Sequence, residues 1–183
     1  MKKVISQKFF NRPVLEVAPD LLGKYLVRKI GQKIVRLKIT EVEAYDGEKD
    51  LACHACKGRT QRTEIMYGEA GHFYIYLCYG MYWMLNIVTG EKNYPSAVLI
   101  RGVEGSEGPG KLTRELKIDK RQNGFPALPF SGLWIEGGED PSSRAKLTTG
   151  RGQKSAVRRT ARIGVSYAGP IWSKKKYRFV LKK

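Results

Sequence analysis

The sequence predicts an α+β fold dominated by an antiparallel sheet, and three observations carry that reading. Apolar and polar residues alternate over Lys33–Tyr45, the period-2 signature of a half-buried strand. Two further strand-like runs, Phe73–Leu77 and Tyr82–Val88, are joined by a tight Tyr79-Gly80-Met81 turn, which makes them an antiparallel hairpin. The pattern between the strands is not that of a parallel sheet, and helical periodicity is confined to short stretches. At 183 residues the chain suits one compact domain with a usable core, expected to span residues 1–183.

In chain order, Pro19-Asp20-Leu21-Leu22-Gly23 reads as a short amphipathic helical turn ended by Gly23. Along Lys33–Tyr45, the residues Val35, Leu37, Ile39, Glu41, Glu43 and Tyr45 share one face, with Arg36, Lys38 and Thr40 opposite. A strand that buries Leu37 and Ile39 is thus expected to carry Glu41 and Glu43 along the same side. Such carboxylates need partners, because an unpaired buried charge is costly. His54–Gly71 is polar and Gly-containing, hence a loop. Ser96–Val103 is a third strand beyond the hairpin. Gly108-Pro109-Gly110 opens a helix over Lys111–Ile118, with Leu112, Leu116 and Ile118 as its apolar face. Gln122–Ser143, rich in Gly and Pro, is irregular except for a short strand at Leu133–Glu136. Arg162–Val165 and Tyr177–Leu181 are expected as closing strands.

Charge narrows the function. Lys and Arg total 34 against 17 Asp and Glu, a formal net charge of +17. Solubility needs far less in a small domain. The excess points to a polyanionic partner, nucleic acid ahead of an acidic membrane surface. From Arg144 to Lys183 there are 13 Lys or Arg and no acid, so this segment is expected on or near the partner. No apolar run is long enough for a transmembrane helix, and Met1–Lys8 lacks the apolar stretch of a signal peptide. Three cysteines, an odd number, argue against a disulfide-stapled secreted domain. The expected location is therefore intracellular: cytoplasmic or nucleoid-associated, nuclear in a eukaryote.

Gly105-Ser106-Glu107-Gly108-Pro109-Gly110-Lys111 nearly has phosphate-loop spacing. Leu112 follows, however, where a Ser or Thr would ligate magnesium. A Gly-rich turn into a helix is the better reading, its free N–H groups and Lys111 able to hold a DNA phosphate. Cys53-His54-Ala55-Cys56 has the spacing of a zinc or redox element, yet the only other His and Cys are His72 and Cys78. A tetrahedral zinc site needs four ligands, so His54 is either a buried, hydrogen-bonded residue or part of a base-binding pocket. Tyr74, Tyr76, Tyr79, Tyr82 and Trp83 are denser than a core needs; in a basic protein, exposed aromatics stack on bases. Tyr79-Gly80-Met81 is shaped to wedge into a base step. Glu43 is either a strand-end carboxylate paired with an arginine or a general base activating water, and Glu41 is its reserve.

Taken together, these residues resemble the alkyladenine (3-methyladenine) DNA glycosylase family over nearly the whole chain, from Phe9-Phe10-Asn11-Arg12 to Tyr177-Arg178-Phe179. Its most specific blocks are Thr40-Glu41-Val42-Glu43-Ala44-Tyr45, Ala52-Cys53-His54 and Tyr76-Leu77-Cys78-Tyr79-Gly80-Met81-Tyr82. Asn86-Ile87-Val88, Val98-Leu99-Ile100-Arg101 and Gly108-Pro109-Gly110-Lys111-Leu112 follow in the family's order. The resemblance implies one mixed domain with a curved, mainly antiparallel sheet and a protruding hairpin that enters the minor groove. Tyr79, with Met81 beside it, would fill the gap left by a flipped nucleotide. Tyr45, His54 and Tyr76 would sandwich the extruded base. Asn86, with Leu99 in the same pocket, would restrict entry of a guanine exocyclic amine. Glu43 would deprotonate the attacking water with Arg101 helping to place it, while Arg59, Arg62 and Lys111 would meet the DNA backbone. The implied partner is duplex DNA carrying a damaged purine, bound by a monomer with no metal or organic cofactor. The chain departs from the family pattern at Thr60-Gln61-Arg62-Thr63, where Pro typically precedes the Arg and Asn follows it. It departs again in the charged helix segment Leu112-Thr113-Arg114-Glu115-Leu116.

A competing class is a basic DNA- or RNA-binding module without chemistry, built on the same aromatic sheet. Glu43 separates the two, since a pure binder has no use for a carboxylate aimed at a polyanion. A metal- or nucleotide-dependent enzyme fails on ligand count and on the broken phosphate-loop pattern.

Overall fold

The structure, a computed structural model, describes residues 3–138 and 157–182. Within them, nine strands follow in chain order: β1 (Tyr25–Ile30), β2 (Lys33–Asp46), β3 (Phe73–Cys78), β4 (Tyr82–Thr89), β5 (Ser96–Val103), β6 (Ser106–Glu107), β7 (Leu133–Glu136), β8 (Val157–Thr160) and β9 (Arg178–Leu181). Four short helices accompany them: α1 (Gln7–Phe10), α2 (Val14–Leu21), α3 (Pro109–Glu115) and α4 (Gly169–Trp172). Every strand pairing is antiparallel. The sheet runs β3-β4-β5-β2-β1-β7, with β6 folding back on β5 and β8 joined through β9 to β2. The fold is the α+β architecture expected, around one curved antiparallel sheet. No helix of the described residues is long and apolar enough to cross a membrane.

The 14-residue β2 is the axis. Its first half pairs with β1; its second half pairs with β5 on one edge and β9 on the other. Between the halves the ladder slips. Ile39 faces Val103, Glu41 faces Gly102 and Val42 faces Ile100, so β2 and β5 each carry one residue beyond a regular ladder. A bulge of this kind reverses which alternate side chains face the core. The expectation that Glu41 and Glu43 share the face of Leu37 and Ile39 is therefore corrected. Val35, Leu37 and Ile39 pack with Val42 and Ala44 in the main core, and Glu43 and Tyr45 stand on the opposite face.

The main core lies between the sheet and α2 and α3. α2 buries Val14, Val17, Ala18 and Leu21, the stripe that a 3.6-residue period presents to one side. The sequence reading caught only its final turn, because Pro19 interrupts the usual helical composition. α3 starts at Pro109 rather than Lys111, since a Pro at the first helical position has its φ preset. It stops at Glu115, two residues before Lys117 turns to φ +50°, and Ile118 N–H closes the end on Thr113 O at 2.8 Å. Leu112, Leu116 and Ile118 are all buried as expected. Ser96–Val103 and Leu133–Glu136 are strands with the bounds anticipated. His54–Gly71 lacks strands but holds two single-turn 3₁₀ helices.

Arg162–Val165 is not a strand. The Arg162 side chain is buried, Ile163 N–H turns to a carboxylate and Gly164 takes φ +75°, so the backbone leaves the ladder. The closing strand before β9 is instead β8, Val157–Thr160. Residues 139–143 of the irregular stretch, and residues 144–156 and Lys183 of the basic run, lie outside the described residues.

Candidate active site

Strand register assembles the site on the face of the sheet away from the main core. Tyr74 of β3 faces Asn86 of β4, Asn86 faces Leu99 of β5, and Leu99 faces Glu43 of β2. In the adjacent row, Val88 faces Ala97 and Ala97 faces Tyr45. The chain from Asp46 to Tyr67 folds over these rows and packs Cys53, Ala55 and Met66 against Tyr74, Val88 and Ala97. A cavity remains, lined by Tyr45, His54, Tyr74, Tyr76, Asn86 and Tyr167, with Ala52, Cys53, Met66 and Ala97 completing the wall. It encloses about 320 Å³ of empty space, open mouth included. Leu99, expected in the pocket, is buried in the row between Asn86 and Glu43 and does not line the cavity.

Glu43 is fully buried and its two oxygens are held separately. Tyr45 Oη donates to Oε2 at 2.9 Å, and Ile163 N–H donates to Oε1 at 2.8 Å. Arg101 Nε lies 3.5 Å from Oε1. Burial pushes the Glu43 carboxyl above its ordinary range, while Arg101, Ile163 N–H and the Tyr45 hydroxyl pull it back. Glu41 has a different setting. Arg101 Nε at 2.9 Å and Arg178 Nε at 2.6 Å converge on its Oε1, so its charge is neutralised from both sides. Of the two carboxylates, Glu43 is the one without an arginine in direct hydrogen bond and the one tied to a cavity residue.

The polar groups around the cavity are neutral. His54 Nδ1 lies 2.9 Å from Tyr74 Oη, and its ring meets Tyr76 edge-on with centroids 4.6 Å apart. Burial, with Arg62 and Lys57 adding to it, pulls His54 down to about 4, so it is uncharged at neutral pH. Asn86 donates through Nδ2 to Tyr74 O and Met84 O, which fixes the orientation of its amide and leaves Oδ1 as an acceptor. Cys53 and Cys56 point their sulfurs at the carbonyls of Pro95 and Leu51. Among the described residues no group of three or more His, Cys, Asp and Glu is arranged to hold a metal.

Beside the cavity, β3 and β4 project as a hairpin. Tyr79 and Gly80 take φ +50° and +69°, and Met81 N–H returns to Cys78 O at 3.1 Å. Positive φ at both central residues is the turn that matches strand twist in a hairpin. Tyr79 is 87% exposed and Met81 68%, with Tyr82 and Leu77 exposed beneath them. The hairpin leans on α3, where a Cβ on Gly110 would stand 2.6 Å from Tyr82 Cδ1. Lys111 follows on that helix, half-exposed and 4.0 Å from Glu115. Arg62 lies over the Tyr76 ring at 4.9 Å, beside the cavity. Arg59 is held on its own surface by Glu64, by Asn93 and by the ring of Tyr67.

A family model described as methylpurine-DNA glycosylase matches residues 8–183, nearly the whole chain. The chain belongs to the methylpurine-DNA glycosylase family. Its relatives include proteins named "Putative 3-methyladenine DNA glycosylase" from Methanocella arvoryzae, 42% identical over 91% of this chain and 86% of theirs, and from Psychrobacter cryohalolentis, 41% identical over 92% and 88%. A protein of the same name from Legionella pneumophila strain Corby is 39% identical over 97% of this chain and 94% of its own.

Within this methylpurine-DNA glycosylase family chain, the sequence reading missed Tyr74, Tyr167, Asp50, Arg162 and the Ile163 N–H as contributors to the site. Tyr74 was visible only as one of an aromatic run, although its alternation with Tyr76 places both on one face. Tyr167, Asp50 and Arg162 carried no local signal, because their partners lie far along the chain. Tyr167 Oη donates to Ala52 O at 3.0 Å, and Arg162 reaches Asp50. Arg162 belongs to the basic run expected to face the partner, yet its side chain is buried and its charge meets Asp50.

Proposed function

We propose that this chain is a monofunctional DNA repair glycosylase, which flips an alkylated or deaminated purine out of duplex DNA and hydrolyses its N-glycosidic bond. The observation that carries the reading is Glu43: a buried carboxylate held by Tyr45, itself a wall of an aromatic cavity, on a strongly basic protein. Extruding a base costs a few kcal/mol, least at damaged pairs, and stacking on Tyr45, His54 and Tyr76 returns roughly 1–3 kcal/mol per base. Tyr79 occupies the space that the nucleotide vacates. As the base departs, positive charge develops on the sugar, and the Glu43 carboxylate stabilises it while taking a proton from the water that attacks the anomeric carbon. Arg101 orients that water. No lysine lines the cavity among the described residues, which supports water rather than an amine as the nucleophile. The purine leaves and an abasic site remains.

The test is base release from duplex oligonucleotides carrying one lesion each, followed by alkaline cleavage at abasic sites. Glu43→Gln keeps the shape and removes the charge; single-turnover release is expected to fall by about 10²–10⁴-fold, with binding to an abasic-site analogue retained. Because the base must be ionised and its folded pKa is raised, the rate climbs with pH through a value above the ordinary carboxylate range. No second step is expected near the usual histidine range, as His54 stays neutral down to about 4. Release by Glu43→Gln within a few-fold of the unaltered protein would move the role elsewhere. Tight duplex binding with no release of any lesion would favour the binding module.

A further inference from the structure

Outside the lining of the cavity but against two of its wall residues, Tyr45 and Ala52, sits an ion pair whose surroundings point at Glu43 from two directions. Asp50 and Arg162 have fully buried side chains and meet through two bonds, at 2.5 and 2.8 Å. Asp50 also accepts from the N–H groups of Asp46 at 3.1 Å and Ala52 at 3.0 Å, which fixes the chain directly after Tyr45. Arg162 donates to Ala44 O at 2.9 Å, between Glu43 and Tyr45, and its guanidinium lies over the Tyr45 ring at 4.8 Å and the Tyr177 ring at 5.2 Å. The residue bonded to Arg162 is Ile163, whose N–H holds Glu43 Oε1; the ring beneath its guanidinium belongs to Tyr45, whose hydroxyl holds Oε2. Arg162 has no hydrogen bond to Glu43 and does not line the cavity.

A buried ion pair is weak evidence for stability, because desolvation offsets most of its attraction. Among the described residues this one even leaves Arg162 Nε buried without a hydrogen-bond partner, a defect that calls for an explanation other than stability. Resting on the reading of Glu43 as the base, we propose that the Asp50–Arg162 pair is a positioning unit, which holds Ile163 N–H and the Tyr45 hydroxyl against the two oxygens of Glu43. The pair ties together two segments distant in sequence, the turn after β2 and the loop before α4, which also meet through Tyr167 Oη on Ala52 O. The groups that face Glu43 are Arg101 from β5, Glu41 and Tyr45 from its own strand, Arg178 opposite it on β9, and Ile163 with Arg162 from the loop. Ile163 N–H and the Tyr45 hydroxyl both stabilise the ionised form. Slackening them moves the acidic limb of the rate profile to higher pH.

Two variants test this in the full-length protein. Arg162→Lys keeps the charge but loses the planar fork and the stacking, and Asp50→Asn keeps the shape but loses the charge. Single-turnover base release is expected to fall on the order of 10- to 100-fold, the upper end being the cost of misplacing a catalytic group by about 1 Å. The acidic limb should shift upward, while affinity for an abasic-site duplex stays near that of the unaltered protein. In a Glu43→Gln background the same substitutions should change the residual rate little, since they act through Glu43. If either variant folds, as judged by circular dichroism, and keeps both rate and pH profile, the proposal falls while Glu43 retains its role. Equal losses with and without Glu43 would show a general structural defect and overturn it too. An active Glu43→Gln protein would remove the function reading and this inference together. Should Arg162→Lys fail to fold, Asp50→Asn, which keeps the side-chain size and one acceptor oxygen for Asp46 or Ala52, decides alone.

Discussion

Tyr79 shows how a single residue can hold an exposed turn at the expense of its own comfort. A bulky L-residue at φ +50° is held where its Cβ crowds the backbone, at roughly 1–2 kcal/mol, and its exposed ring has little packing to offset that cost. Glycine would take the same torsion freely but would lose more freedom on folding, by about 0.5–1 kcal/mol. Tyr79→Gly is therefore expected to leave stability within about 1 kcal/mol of the unaltered protein and to lower excision most for lesions that remain well paired. A thermal melt and single-turnover release, measured on one preparation, separate the two effects. A large drop in the melting temperature would mean that the ring packs in solution. The turn itself was legible in the sequence, because Tyr-Gly-Met between two aromatic strands admits few geometries. The buried state of Arg162 was not: one of 13 basic residues in an acid-free stretch reads as solvated unless its distant partner is known.

At the scale of elements, the paired bulge between β2 and β5 decides what the site contains. Strict alternation along β2 would send Glu41, Glu43 and Tyr45 into the main core and expose Val42 and Ala44. The apolar residues themselves carry the contrary signal, since Ile39 and Val42 are three apart where a regular strand would have two or four. Strand existence was therefore readable throughout the hairpin, β5 and β7, whereas facing was not, because facing depends on a partner strand some 60 residues away. Gly102 makes the slip possible. An added Cβ would lie 3.2 Å from Glu41 Cβ and 3.3 Å from Thr40 Oγ1. Gly102→Ala is expected to destabilise the fold by about 1–3 kcal/mol through overcrowding, read as a lower urea midpoint at unchanged slope. An unaltered midpoint would show that the bulge has slack. The helices were harder to read for a simpler reason: α1 and α4 have four residues each, too few for any period to register.

Across the whole molecule, the net charge of +17 is the property that most depends on solution conditions. Each phosphate neutralised on duplex DNA contributes about −0.9 to the slope of log affinity against log salt. Lys174, Lys175 and Lys176 are exposed and follow α4, the short helix after the loop that carries Ile163 and Tyr167. Replacing all three with Gln should flatten the slope by up to about 2.7, three such contacts, if the run meets DNA. An unchanged slope would assign it to solvent. The same molecule-wide view changes the meaning of Gly110. With no side chain there, the ring of Tyr82 rests directly on the first turn of α3, which packs in turn on the middle strands of the sheet. In mechanical terms the hairpin is a bracketed beam rather than a free cantilever. Its unsupported span is the three-residue loop from Tyr79 to Met81, and its base is tied through α3 to the sheet that holds Glu43.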